Sequence, residues 1–262
     1  MPTICDQWLI FTDLDGTLLD HDSYDFTPAL PAMERLKNNS IPIIPVSSKT
    51  LAELEAYIAE LGLNGPVIAE NGMVIRFPDQ KPEITPPDYQ SIRELCLDWR
   101  RDPDFRFTGF ADMTLMELVE ATGLSRKSAQ LAMQRLASEP ILWQGDDEAF
   151  ARFKERVHYA GLRLLQGGRF LHLLGEMDKG RALTRVVDWY RSKGRHKIVT
   201  LALGDSGNDI DMLLSVDIPV IIRKKDGTHL DLPRREETII SDLPGPAGWN
   251  QAINRLLNAY GK

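Results

Sequence analysis

The segment Leu9–Asp20, LIFTDLDGTLLD, dictates more about this chain than any other stretch. An apolar run, Trp8 to Phe11, leads directly into Asp13, Leu14, Asp15, Gly16 and Thr17. The run predicts a buried strand whose carboxyl end carries two acids two positions apart. Open α/β sheets place ligands at the carboxyl ends of their strands. Two carboxylates crowded there repel each other and resist desolvation unless a cation or a reaction requires them. Gly16 permits a sharp turn, and Thr17 offers a hydroxyl and a backbone N–H. Taken alone, the motif also reads as a strand end followed by an ordinary Asp-Gly turn. The remainder of the chain decides between the two.

The following segments repeat the pattern. Thr27 is expected to cap a helix with Pro28 at its first position, running through Ala32, Met33 and Leu36. Ile41–Val46 reads as a second strand ending in Ser47, Ser48, Lys49 and Thr50, and Leu51–Leu61 has helical periodicity. Val67–Ala69 reads as a third strand, ending in Glu70, Asn71 and Gly72, and Met73–Phe77 as a further one. Alternating strands and helices predict parallel β-α-β units.

From Pro78 the pattern changes. A proline-rich, acidic linker leads into helices interleaved with short strands at Phe105–Phe107 and Pro140–Trp143. A helix from Ser125 is expected to continue to Leu136, and a hairpin to turn at Gln166–Gly168. Parallel-type order resumes at Asp178. Lys179 opens a helix, Lys197–Leu203 forms a strand ending in GDSGND, and further strands follow at Ile218–Ile222 and Ile239–Ile240. A helix from Trp249 closes the chain, and the charged 223–238 region is expected to be loop. The fold class expected is therefore α/β: a Rossmann-like parallel-sheet core from residues 1–80 and 178–262, interrupted by an inserted α+β domain at 81–177.

Composition bounds the partners. The 262 residues carry a formal net charge of -7 with no basic tract, so neither nucleic acid nor an anionic membrane surface is an expected partner. No apolar run is long enough to span a bilayer, and the N-terminus lacks the basic and apolar regions of a secretory leader. Cys5 and Cys96 have no metal-like spacing and suggest no disulfide framework. A cytoplasmic protein is expected, monomeric or a small homo-oligomer.

The carboxylates collect at two strand ends: Asp13 and Asp15 after one, Asp205 and Asp209 after another. If those strands are parallel neighbours, four acids face one point. A hard cation with oxygen ligands, Mg²⁺, would neutralise them and recruit phosphate oxygens. Lys179, opening a helix, can bind the same phosphate, with Ser47 and Thr17 as further donors. The constellation suits phosphoryl transfer. Asp13, at the strand end, is the candidate nucleophile for an aspartyl-phosphate. Asp15 is the candidate acid and base.

DLDGT at Asp13–Thr17, the strand-end Ser47, Lys179 and GDSGND at Gly204–Asp209 resemble, in order, the four motifs of the haloacid dehalogenase superfamily of phosphatases. The resemblance implies that Asp13 is nucleophile and metal ligand. It implies that Asp15 binds metal through its main-chain carbonyl and that Ser47 and Lys179 hold the phosphoryl group. Asp205 would ligate Mg²⁺, Asp209 would do so directly or through water, and Asn208 would support the site. The insertion resembles the large substrate-specificity cap of one branch, which includes sugar-phosphate phosphatases. VSSKT (Val46–Thr50), AENG (Ala69–Gly72), GFADMT (Gly109–Thr114), SEPILW (Ser138–Trp143) and GGRFLHLLG (Gly167–Gly175) further resemble the phosphatases that act on mannosyl-3-phosphoglycerate. The substrate implied is a small phosphorylated glycoside bearing a phosphate near a carboxylate, with the glucosyl analogue equally open. Ser48, Lys49, Thr50 and Asn71 then become candidate substrate-binding residues, and the cap would close over the substrate.

Two cap residues join them. Arg169, on the hairpin, is either a solvated surface charge or a bidentate partner for the glycerate carboxylate. His172 alternates with Leu171 and Leu173 and so faces the opposite side, toward solvent or substrate. Glu139 reads as a structural partner. The alternatives are a general sugar-phosphate phosphatase, a phosphomutase on the same core, and a non-catalytic sugar-phosphate binder; every acid and Lys179 being present argues against the last.

Overall fold

The computed structural model describes residues 7–233 and 238–261. Cys5 and residues 234–237 of the charged stretch lie outside them. In chain order the elements are β1 (Gln7–Thr12), α1 (Leu30–Asn38), β2 (Ile43–Pro45), α2 (Leu51–Leu61), β3 (Val67–Ala69), β4 (Val74–Arg76), β5 (Glu83–Ile84), α3 (Tyr89–Trp99), β6 (Phe107–Gly109), α4 (Leu115–Thr122) and α5 (Arg126–Ala132). They continue with β7 (Ser138–Trp143), α6 (Asp147–Tyr159), β8 (Arg163–Gly167), β9 (Phe170–Leu174), α7 (Lys179–Ser192), β10 (Ile198–Gly204), α8 (Ile210–Leu214), β11 (Ile218–Arg223), β12 (Ile239–Pro244) and α9 (Gly245–Ala259). The chain divides into two units: Met1–Ser47, Leu63–Val67 and Lys179–Lys262 form the first, Ser48–Gly62 and Ile68–Asp178 the second.

The first unit is built on a parallel sheet of order β12-β11-β10-β1-β2. β1 has a neighbour on each edge, and Trp8 to Thr12 are buried, as expected of a strand covered on both faces. Phe11 stands beside Ala202 and Ile44, and Thr12 beside Leu203 and Pro45. That register makes Asp13 and Asp205, the residues just beyond β1 and β10, near neighbours. In α7, Ala182, Leu183, Val186, Val187 and Tyr190 are buried on one stripe. Each large apolar side chain so buried contributes about 1.5–3 kcal/mol. At Gly180 a Cβ would lie 2.4 Å from the Asp211 carbonyl and from Ser215 Oγ, so α7 meets α8 too closely for any side chain there. Trp249 of α9 is fully buried and donates its indole N–H to Thr12 Oγ1 at 3.0 Å.

Three boundaries in this part of the chain differ from expectation. Thr27 caps no helix: Thr27–Ala29 is a 3-10 turn, and the Thr27 hydroxyl donates back to Asp25 at 2.6 Å. α9 begins at Gly245 rather than Trp249, with Pro246 in its first turn. β3 does not extend the parallel sheet but belongs to a separate three-stranded sheet, β3-β4-β5. Its apolar run satisfies a buried strand, and periodicity does not choose a strand's partner.

The second unit holds an antiparallel sheet of order β6-β7-β9-β8. Ile141 and Leu173 pack with Ile92, Cys96 and Trp99 of α3 and Phe153 and Val157 of α6. Strand alternation sends Leu142 and Phe170 to the other face, where Phe170 joins Phe110, Met113, Leu118, Ala129 and Ala132. β6 lies at Phe107–Gly109, two residues beyond its expected position. α5 ends at Ala132 rather than reaching Leu136, because the backbone N–H groups of Leu136 and Ala137 donate to the Glu70 carboxylate instead. α2 has its expected bounds, set by a capping box between Thr50 and Glu53 and by Gly62 in the left-handed region.

Candidate active site

The site in the first unit is assembled by strand register. Asp13 N–H donates to the Leu203 carbonyl at 2.9 Å, continuing the β1–β10 ladder by one residue. The carboxylates of Asp13, Asp205 and Asp209 converge, each offering an oxygen within 4.8 Å of the others. All three residues are buried. Lys179, the first residue of α7 and 1% exposed, donates to Asp13 Oδ1 and Asp209 Oδ1, both at 2.7 Å.

The loop after β10 is shaped by Asp209. Its Oδ2 accepts the N–H groups of Asp205 and Ser206, each at 3.1 Å. With Oδ1 on Lys179, both oxygens of Asp209 are engaged. This organising role was missed in the sequence, although Ser206-x-x-Asp209 is a capping-box pattern that signals it. Ser206 Oγ donates to Asn208 Oδ1 at 2.6 Å, which places Asn208 in the same loop. Thr17 Oγ1 donates to Asp205 Oδ1 at 3.3 Å. Ser47 is buried just beyond β2.

Asp15 stands two residues beyond Asp13. Its carboxylate is not one of the three that converge, and it is half-buried in the tight loop closed by the Asp15–Leu19 bridge. Four acids were expected to face one point; three carboxylates do so. Gly16 has φ +82° and faces Asp205: a Cβ there would lie 3.0 Å from Asp205 Oδ2.

Electrostatics define what the group can hold. Three buried carboxylates face one buried ammonium, with the Lys224 charge also acting on Asp205, and the excess of negative charge suits a divalent cation. Burial, then Asp209, raises the Asp13 pKa well above the usual carboxylate value, with Lys179 opposing. Burial and Asp209 push Asp205 up to about 6. Burial opposes the charge on Lys179, but Asp13 and Asp209 outweigh it and raise its pKa. Buried oxygen donors of this kind fit a hard cation, and the missing side chain at Gly16 leaves space beside Asp205. Such a cation would return the carboxylates to their ionised state.

The remaining sequence candidates belong to the second unit. Lys49 is largely buried, its Nζ 5.8 Å from the Tyr57 ring centre. The Thr50 hydroxyl accepts the Glu53 N–H, capping α2, and donates to the Leu131 carbonyl at 3.0 Å. Ser48 is half-buried, and Asn71 is buried in the Glu70–Gly72 turn with φ +57°. Arg169 is exposed and donates to the Thr122 carbonyl at 3.1 Å. His172 is 8% exposed and paired in register with Pro140 and Leu165, on the sheet face away from Leu173. Glu139 is fully buried and accepts from the Tyr89 hydroxyl and the Ala111 N–H. No helix among the described residues is long and apolar enough to cross a membrane.

Comparison with known proteins bears on this geometry. A family described as haloacid dehalogenase-like hydrolase matches residues 10–96. A protein of Methanococcoides burtonii named glucosyl-3-phosphoglycerate/mannosyl-3-phosphoglycerate phosphatase is 40% identical, covering 95% of this chain and 97% of its own. A protein of the same name from Persephonella marina is 39% identical over the same shares. Among solved structures, a haloacid dehalogenase-like hydrolase from Bacteroides thetaiotaomicron has a TM-score of 0.68 at 16% identity, covering 95% of this chain and 98% of that one. Another from B. subtilis has a TM-score of 0.65 at 18% identity, covering 95% and 99%. These two share the fold. The chain therefore belongs to the haloacid dehalogenase-like hydrolases, as a phosphatase in the family of its Methanococcoides and Persephonella relatives.

Proposed function

We propose that the enzyme is a Mg²⁺-dependent phosphatase that hydrolyses mannosyl-3-phosphoglycerate, or its glucosyl analogue, to glycosylglycerate and phosphate. The observation that carries this reading is the buried trio Asp13, Asp205 and Asp209 with Lys179 on Asp13, in a chain that matches its Methanococcoides relative over nearly the whole length of both. Mg²⁺ held by Asp13, the Asp15 carbonyl and Asp205, with Asp209 direct or through water, would draw in phosphate oxygens and neutralise their charge.

The chain's own groups carry the steps. Lys179, Ser47, Thr17 and Asn208 hold the phosphoryl group. An Asp13 carboxylate oxygen attacks phosphorus, and the bond from phosphorus to the glycerate oxygen breaks. Asp15 gives that oxygen a proton as it leaves. In the second step water attacks phosphorus, Asp15 takes its proton, and the bond to Asp13 breaks, freeing phosphate. Residues 1–80 and 178–262 act as the catalytic core, and 81–177 as the cap that selects the substrate. Lys49 and Arg169 suit the anionic phosphoglycerate. Ser48, Thr50, Asn71 and His172 suit its hydroxyls and carboxylate.

The test is phosphate release, with Mg²⁺ and with EDTA, from mannosyl- and glucosyl-3-phosphoglycerate, 3-phosphoglycerate, sucrose-6-phosphate and mannose-6-phosphate. Mg²⁺-dependent preference for a glycosyl phosphoglycerate is expected. Broad activity on simple sugar phosphates would keep the core chemistry and discard the substrate.

A further inference from the structure

The turn after β3 is held in a costly state. Glu70 and Asn71 are successive non-glycine residues with positive φ, +49° and +57°. Non-glycine residues adopt this left-handed conformation only at a cost. Glu70 is also a fully buried carboxylate with no ion pair among the described residues. A buried charge held only by neutral donors is retained at a loss of stability unless it orders something.

Its contacts identify what is ordered. Glu70 Oε1 accepts the Leu136 N–H at 2.8 Å, and Oε2 accepts the Ala137 N–H at 3.0 Å and the Ser138 hydroxyl at 2.6 Å. Ser138 Oγ lies 3.4 Å from Arg135 Nη1. Arg135, 7% exposed, donates Nη1 and Nη2 to the Ser48 carbonyl at 3.1 and 3.4 Å. The Glu70 N–H donates to the Lys49 carbonyl at 2.9 Å, and the Thr50 hydroxyl to Leu131. Three successive residues, Ser48, Lys49 and Thr50, are thus each anchored through a main-chain carbonyl or hydroxyl. Their anchors are two segments remote in sequence. The stretch follows directly on Ser47.

We infer that Glu70 and Arg135 are positioning residues: through Ser138 they fix the backbone of Ser48–Thr50 in one conformation, so that the loop meets phosphate and substrate already ordered. The inference rests on the proposed role of Ser47–Thr50 in holding substrate. Preorganised loops bind without a further ordering cost, and a loosened loop raises KM.

Steady-state phosphate release by the Glu70→Gln, Arg135→Ala and Arg135→Lys enzymes decides it, with p-nitrophenyl phosphate and with the glycosyl phosphoglycerates. Thermal unfolding identifies the variants that fold. A purely structural role leaves less active enzyme, lowering kcat at constant KM. Positioning predicts a KM about tenfold higher for Glu70→Gln and Arg135→Ala, the loss of one charged hydrogen bond, partly recovered in Arg135→Lys. KM within twofold of wild type in both would overturn the inference. If those variants do not fold, Ser138→Ala, which removes only the connecting hydroxyl, decides by the same criterion. Substrate preference is read from the wild-type enzyme alone. A wild type that ignores glycosyl phosphoglycerates sinks the functional reading, while KM for p-nitrophenyl phosphate still judges positioning.

Discussion

Lys179 Nζ stands 2.7 Å from Asp13 Oδ1 and equally close to Asp209 Oδ1, so one ammonium ties the end of β1 to the loop after β10. Removing it leaves three clustered carboxylates without their buried ion-pair partner. Lys179→Met is expected to destabilise the metal-free protein by about 3–5 kcal/mol, the usual result of breaking a buried pair. Urea unfolding in EDTA measures this; a loss below about 1 kcal/mol would mean that the acids do not depend on the ammonium.

Asp13→Asn should separate chemistry from stability. It deletes the proposed nucleophile, so phosphate release should fall at least about a thousandfold. It also removes one of the crowded negative charges, so Tm in EDTA should hold or rise. An Asn variant with near-normal turnover would remove Asp13 from the nucleophile's place.

The metal-free protein should lose stability as pH rises. Asp205 has a folded-state pKa of about 6 against an unfolded 3.8, so between those values the folded state binds the proton more tightly. Unfolding free energy therefore declines with pH across that window. Asp13, also raised, adds in the same direction. Saturating Mg²⁺ should flatten the slope and raise Tm more at pH 7.5 than at pH 5. Thermal scans in EDTA and in Mg²⁺ test this, and parallel curves would argue against the trio as the cation site.

The convergence of Asp13, Asp205, Asp209 and Lys179 was legible in the sequence because these residues sit beside strand ends and a helix start, where short motifs and geometry coincide. Asp13, Ser47 and Asp205 follow directly on apolar runs, and α2 announces both its ends. The Glu70–Ser138 bond joins residues 68 apart, and no local pattern reports such a pair. Motif spacing puts the Asp15 carboxylate with the other three, because it does not register the tight Asp15–Leu19 loop that carries Asp15. β3 failed for a related reason: composition identifies a buried strand without naming its neighbour.

Gly16→Ala tests that loop. The new Cβ would carry the strain of φ +82° and approach Asp205 Oδ2 to 3.0 Å. A stability cost of about 1–2 kcal/mol is expected. Activity should fall more than stability does, since Asp205 must move. Comparing kcat with Tm checks it; unchanged kcat would show that Asp205 tolerates displacement.

Glu139 offers a test within the second unit. Glu139→Ala strips the acceptor from the Tyr89 hydroxyl and the Ala111 N–H, and the more distant of two counter-charges from Arg93, which keeps Asp112 at 3.0 Å. A loss of about 3 kcal/mol in urea unfolding is expected. A change under 1 kcal/mol would make the carboxylate dispensable.

The adjacency of β1 and β10 has a consequence for biosynthesis. β1 leaves the ribosome well before its partner on one edge, which is encoded nearly 200 residues later. Until then β1 has an apolar, unpaired edge, the kind of surface that invites pairing with another chain. Fragments ending before residue 198 should therefore be both inert and sticky. The finished enzyme gains its activity and loses its aggregation hazard in the same event, when β10 docks.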